Sequence, residues 1–498
     1  MKNNTSRSSK QSPLLGNIDE LFAAHHYIFR QHRTFERMCK LARGMFLTLG
    51  RHTVTQAIRA IGEEEKDWTA WYDLFNGERF RADDLFAELI RQTIANAPAD
   101  QPYVTAVDCT QIARSSDTMP GSGWMPAPGT AVWRKGLHRA QRMLTCAWLP
   151  PMQEGYTRAI PIRCLSAYTP KSEPADDPPR KDWEAAMMHI HLLREQLNQE
   201  GRREQKLIML ADGAFDKATV WQGLPDQTFL IVRTAKNRVL YNLPEAMAAP
   251  PQKRPAKKNK QEPAQPKKTA RGRPRKYGEK APAPSEQLAE RGGWRSTQIT
   301  LRGRQIDISY KLRGCYLRET APNCPLFLII IDSDKWTVGK RRPRTRYRDP
   351  AYFLVRAALK DGVWILPCPI EQILIWLWQR WEIEVIHREM KTSFGVGDIQ
   401  CWGKASSTLS VQWMVWLFGL VMLGAYRAWG LFDGPAACAR WWSGARRWSF
   451  NTLWSALRAE LWTRRDFHPG SPLSPPNPPK IVFVTDHLAR AAASVMRG

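Results

Sequence analysis

Two short strand-like runs, Tyr103-Val-Thr-Ala-Val-Asp108 and Leu207-Ile-Met-Leu-Ala-Asp212, each end in an aspartate, and what lies between them restricts how the chain can fold. Strand patterns at 139–149 and 158–168 come first. A helix at 182–200 follows, with Trp183, Ala186, Met187, Ile190, Leu193 and Leu197 at helical spacing. After Asp212 come a short helix and a strand at 228–235. The predicted order is three strands, a helix, a strand, a helix and a strand.

That order is the one of a ribonuclease-H-like mixed sheet, so the expected fold class is α/β. Asp108 falls on the first strand and Asp212 just after the fourth. In such a sheet these strands are central neighbours, which lets two carboxylates from distant sequence positions meet.

A third acidic position lies in a helix-length segment, Arg380-Trp-Glu-Ile-Glu384-Val-Ile-His387-Arg388-Glu-Met-Lys391. At 3.6 residues per turn Arg380, Glu384, His387/Arg388 and Lys391 share one stripe, while Trp381 and Val385 turn elsewhere. A carboxylate flanked by cations suits a site that holds a divalent metal and grips phosphates. Each signal has a plainer reading: strand-terminal aspartates often cap turns, and charged stripes are often solvated faces. Here Trp376, Trp378, Trp381, Ile383 and Ile386 crowd the stripe, which predicts partial burial. Asp332, after Leu326–Ile331, rivals Asp212 for the second position but lies in an inserted region. His138 and His387 are assigned no role.

At 498 residues the chain is expected to form two or more domains. Residues 1–98 predict an N-terminal all-α domain; Thr53–Gly62 and the Trp-rich helix after it read either as a DNA-reading helix-turn-helix or as a helical docking module. Residues 99–237 and 366–430 are expected to form the catalytic domain. It is interrupted at 238–365 by a mostly-β insertion domain with a basic disordered linker at 250–284. Residues 431–498 predict a helical C-terminal tail with a dimerisation role. The apolar stretch Trp413–Tyr426 has 14 residues, short of the ~20 that cross a bilayer, and is read as a buried helix behind the sheet.

Lys and Arg number 74 against 47 Asp and Glu, a formal charge of +27 that points to nucleic acid rather than to membrane. Twelve Lys/Arg and two Glu between 251 and 280 supply +10 of it, leaving +17 on the rest. Within that stretch Arg271-Gly-Arg273-Pro-Arg275-Lys276 has the form of a minor-groove A·T hook, or else is a basic linker attracting phosphates nonspecifically. Lys340–Arg348, which includes Arg341 and Arg342, holds six cations in nine residues and reads as a phosphate-contacting loop. Nine cysteines without a CxxC pair or zinc spacing predict reduced thiols.

The chain resembles the DDE transposases of bacterial insertion sequences, in the cut-and-paste group with a β-strand insertion before the last acidic residue. That group's Tyr-x2-Arg-x3-Glu-x6-Lys signature is matched at Arg380, Glu384 and Lys391, while Leu377 stands at the Tyr position and lacks its hydroxyl. Asp108, and Asp212 with Phe215, match the other two acidic contexts, over roughly 100–430. The resemblance implies Asp108, Asp212 and Glu384 as catalytic metal ligands for two Mg2+ ions, with Mn2+ as a substitute. It also implies that Arg380 and Lys391 bind phosphates at transposon ends; Arg388, on the same stripe, is expected to contact DNA as well. The expected protein is a DNA transposase that binds inverted repeats and target DNA, dimerises on DNA, and works in the bacterial cytoplasm at the nucleoid. Two alternatives stay open: a catalytically inactive transposase-derived DNA-binding protein, and a nuclease with the same sheet. If a hairpin intermediate forms, Tyr352 or Trp364 would stack the flipped base.

Overall fold

The computed structural model describes residues 13–128, 136–244, 247, 276–338, 344–436 and 447–463. The chain divides into two compact units, one of Met1–Leu207, Leu301–Arg304 and Trp378–Gly498, the other of Ile208–Thr300 and Gln305–Leu377.

The first unit opens with α1 (Pro13–Ala24), α2 (His32–Leu47), α3 (Val54–Ala60), α4 (Thr69–Asn76) and α5 (Ala82–Asn96). Phe35, Met38, Met45 and Phe46 recur on the buried face of α2. Thr53 starts α3 by accepting the Gln56 N–H at 3.2 Å. The turn from α3 to α4 carries Glu63, Glu64, Glu65 and Asp67 against Lys66.

Next come β1 (Tyr103–Ala113), β2 (Ser122–Pro126), β3 (Leu137–Leu149), β4 (Ile160–Ser166) and α6 (Asp182–Gln199). β3 is the spine, antiparallel to β1, β2 and β4. Its register sets Asp108 opposite Thr145 and Gln111 opposite Arg142. The Tyr103 N–H donates to the Lys206 carbonyl at 2.8 Å, which fixes where the chain leaves this unit.

The second unit contains β5 (from Leu207, to Ala211), α7 (Ala218–Gly223), β6 (Thr228–Arg233), β7 (Leu240–Asn242), α8 (Pro284–Ala289), β8 (Arg295–Leu301), β9 (Arg304–Arg318) and β10 (Ala321–Ile331). A separate ribbon of β11 (Asp334–Val338) and β12 (Arg344–Arg348) follows, then β13 (Ala351–Arg356), the hairpin β14 (Ala358–Lys360) and β15 (Val363–Ile365), and α9 (Ile370–Gln379), which ends in the first unit. The strand order is β5-β6-β13-β10-β9-β7, with β8 on β9. The strands of 238–365 therefore do not close a sheet of their own. β13 pairs antiparallel with β6, Leu354 opposite Val232, and covers an edge that would otherwise expose unpaired backbone. The Lys311 ammonium, fully buried, donates to the carbonyls of Gln287 at 2.8 Å and Leu288 at 3.2 Å. It thereby places a cation at the C-terminal end of α8.

The first unit closes with α10 (Glu382–Thr392), α11 (Ser406–Trp429) and α12 (Phe450–Thr463). α11 corrects the length argument made from sequence: its 24 residues are long and apolar enough to span a bilayer, but 89% of its apolar window is buried within the protein. It packs on β4, α1 and α5. A Cβ at Gly419 would meet the Pro161 carbonyl oxygen at 2.2 Å, so only glycine lets α11 cross β4 so closely. The Trp416 indole donates to His25 Nε2 at 3.1 Å, while His25 Nδ1 donates to the Leu21 carbonyl at 2.7 Å. These partners require a neutral imidazole, and burial lowers its pKa accordingly.

Two more buried histidines make the unit acid-sensitive. Burial, with the Arg163 charge second, pushes His189 down to about 3, and burial, with Arg458 second, pushes His52 to about 4. The unfolded chain takes up these protons below about pH 6.5. The folded chain does not until pH nears the lowered values, so stability is full above about pH 6.5 and falls as pH drops. The slope is up to about 1.4 kcal/mol per pH unit per histidine. Melting temperature is expected to fall by several degrees between about pH 7 and about pH 5, and less in a His189→Met variant. Identical pH profiles for the two proteins would refute the assignment to His189.

Candidate active site

Asp108 sits half-buried on β1, and its Oδ1 accepts the Cys109 N–H at 2.8 Å. α10 packs directly on β1 and carries Glu384 in its first turn. The expected continuous helix over 380–391 is broken: α9 ends at Gln379, whose side chain donates to the Gly155 carbonyl, and α10 begins at Glu382. The stripe survives the break. The Ile383 N–H still reaches the Arg380 carbonyl at 3.2 Å, and the Arg380 Nη2 donates to Glu384 Oε1 at 2.9 Å.

A cleft of about 450 Å3 opens between β1, β3 and α10, lined by Cys109, Thr110, Gln111, Pro128, Arg142, Glu384, His387, Arg388, Lys391 and Thr392. Three cations thus face one carboxylate that Arg380 already neutralises. Burial, then the Lys391 charge, pushes His387 down to about 3, so its imidazole stays neutral. Burial also lowers Lys391 from its ordinary value. Burial, then the Asp182 charge, raises the Cys109 thiol, which therefore stays protonated. The cleft is lined by three cationic side chains and one carboxylate.

The segment after α10 fixes that helix against β1. Arg114, 6% exposed, donates from Nη1 to the Gly397 and Ile399 carbonyls, each at 3.0 Å, and from Nε to Gln141 Oε1 at 2.9 Å. The Asp398 carboxylate accepts the His52 N–H at 2.9 Å. Gly395 turns the chain at φ +67°, where a Cβ would lie 2.4 Å from Asp398 Oδ2.

Asp212 belongs to the second unit, directly after β5. Its Oδ1 accepts the Ala214 N–H at 2.9 Å, so it starts a single 3-10 turn over Gly213–Phe215. Asp216, four residues on, is the buried acidic group of that segment; no pattern in the sequence marked it. Asp332 caps its own turn through the Ser333 N–H at 2.7 Å. His138 donates to Gln111 Oε1 at 2.6 Å. Tyr352 is 9% exposed within β13, which removes it as a stacking platform, while Trp364 on β15 is half-buried. Lys276 is exposed. Arg271, Arg273, Arg275, Arg341 and Arg342 lie outside the described residues. Arg142 is the cleft residue that sequence reasoning missed, since an arginine in a predicted strand carries no spacing signal.

Carboxylate oxygens are hard donors that suit Mg2+ or Mn2+, and the Arg380 guanidinium on Glu384 stands in for the positive charge such an ion would bring. Among the described residues no group of three or more His, Cys, Asp or Glu side chains converges closely enough to hold a metal ion. The donor chemistry fits a divalent cation, and a gathered ligand set is not part of this arrangement.

The family model described as DDE superfamily endonuclease matches residues 28–308, more than half of the chain. The match begins in the N-terminal helices and ends in β9, so it includes Asp108 and Asp212 and stops short of Glu384. No curated protein matches the chain. An α/β fold, a strand-borne Asp108 and a cation-lined cleft beside Glu384 accompany that match, and the match settles the family: this chain belongs to the DDE superfamily endonucleases.

Proposed function

We propose that this protein is a DNA transposase that cleaves at the ends of its own element and joins the freed 3′-OH groups to target DNA. The observation that carries the reading is the cleft in which Arg142, Arg388 and Lys391 surround Glu384 beside the strand of Asp108. A phosphodiester needs such cations to offset its charge, and hydrolysis needs carboxylates nearby. The reading assigns Asp108, Asp212 and Glu384 as the acidic residues that would hold Mg2+, with Mn2+ as a substitute. When bound, the metal supplies the charge that activates the attacking oxygen and steadies the leaving one.

The chain's own groups do the rest. Arg388 and Lys391 hold phosphate oxygens, and Arg380 fixes the position of the Glu384 carboxylate through their 2.9 Å contact. The neutral His387 adds no competing charge. Water and a 3′-OH can use the same cleft because both are oxygen nucleophiles in an in-line displacement. The protein would act on DNA as a homodimer, each cleft taking an end bound by its partner.

The test is to incubate the purified protein with Mg2+ and duplexes carrying the inverted repeats that flank its gene. Nicked 3′ ends and joined products are expected, and Asp108→Ala or Asp212→Ala should remove both while end-binding persists. Near-normal cleavage in either variant would strike that residue from the set. Cleavage without joining would leave the nuclease reading in place of the transposase.

A further inference from the structure

We propose that Arg142, held in place by Asp182, is a phosphate clamp that grips a DNA phosphodiester from the wall of the cleft opposite α10. This rests on the DNA-processing reading above and names a contact that the signature residues of α10 do not include.

Arg142 lies on β3, paired with Gln111 of β1, and both line the cleft. Its Nε donates to Asp182 Oδ1 at 2.8 Å and its Nη2 to Asp182 Oδ2, a two-pronged contact with the first residue of α6. A guanidinium carries five N–H donors in a rigid plane. Asp182 engages one on Nε and one on Nη2, which leaves one on Nη2 and two on Nη1. The Arg142 side chain is 32% exposed and that of Asp182 is 24% exposed, so the pair is partly withdrawn from water without being sealed.

An isolated pair of this kind contributes little to stability. What it does provide is orientation: the carboxylate removes the rotational freedom of a long side chain before any ligand arrives, so the ordering cost of binding is already met. Across the cleft stand Arg388 and Lys391, while the one lining carboxylate, Glu384, is paired with Arg380. An anion between these walls meets cations from both sides. The fork geometry of Arg142 favours an anion with two oxygens in one plane, which a phosphodiester presents.

The experiment uses end duplexes in which one phosphate at a time is replaced by a neutral methylphosphonate, with binding and cleavage both measured. For the wild-type protein one position is expected to weaken binding roughly 10- to 100-fold, the range for losing a charge-assisted contact. Arg142→Ala should bind the unmodified duplex more weakly by a similar factor and show no further loss at that position. Arg142→Lys keeps the charge and loses the fork, so it should fall between the two; it also serves if the alanine variant folds poorly. Loss of sensitivity at one position alone is a result that general misfolding cannot produce. If both variants keep every methylphosphonate effect of the wild type, the clamp is overturned while the transposase reading stands. A wild-type protein that neither binds nor cuts end DNA would overturn both.

Discussion

A Glu384→Gln protein is expected to cut DNA on the order of 10^3-fold more slowly than the wild type, and to bind it at least as tightly. The two side chains have the same shape, so the change removes one charge and little else. Arg380 now donates to Glu384 at 2.9 Å from a position 22% exposed. Without its partner that guanidinium adds a further cation to Arg388 and Lys391 at the cleft. Binding should therefore strengthen and become steeper in salt, by a slope of about −0.9 if Arg380 reaches one more phosphate. Folding should be nearly unaffected, because an ion pair this exposed is worth ~0–1 kcal/mol. A melting scan, a salt titration and a cleavage time course check the three parts separately. Cleavage within tenfold of wild type would remove Glu384 from the reaction, whatever the binding does.

How much of this was legible in the sequence can be traced residue by residue. Apolar runs and helical spacing placed α6 at 182–200 against the observed Asp182–Gln199, and a strand at 139–149 against Leu137–Leu149. These signals are local, so a single sequence carries them. β2 was missed because Ser122-Gly-Trp-Met-Pro126 holds a glycine and a proline and gains its strand character only by pairing with β3. The alternation in the region of β8 to β13 was read, but not that β13 would join β6. That register depends on contacts more than a hundred residues apart, which no local pattern encodes.

The site divides in the same way. The spacing of Arg380, Glu384 and Lys391 was legible because helix periodicity converts spacing into a shared face. Arg142 was not, because its meaning comes from a strand register and from Asp182, forty residues away. Asp212 was legible as an aspartate after an apolar run. Its alternative meaning, the cap of a turn, is also present in the structure, so sequence alone could not separate the two roles.

The segment Asp212-Gly-Ala-Phe-Asp216 separates chemistry from structure within five residues, and Asp216→Ala tests the structural half. Asp216 is 2% exposed. It accepts the Trp221 indole N–H at 3.0 Å and the Thr234 hydroxyl at 2.7 Å. The guanidinium of Arg238 lies 2.7 Å from its Oδ2 and that of Arg318 lies 3.1 Å from its Oδ1. One carboxylate thereby ties α7, β6, the turn before β7 and β9 into the second unit. Alanine would leave two cations and two donors facing an apolar gap. Breaking a buried pair on one side costs about 3–5 kcal/mol, and the 27% exposure of Arg238 places the value toward the lower end. The second unit should melt about 6–20 °C lower. Asp216→Asn keeps an acceptor for Thr234 or Trp221 and should lose less. Asp212→Ala, by contrast, gives up a single turn contact and should leave melting nearly unchanged while removing cleavage. The opposite pattern, a stable Asp216→Ala and an unfolded Asp212→Ala, would exchange the roles assigned to the two aspartates.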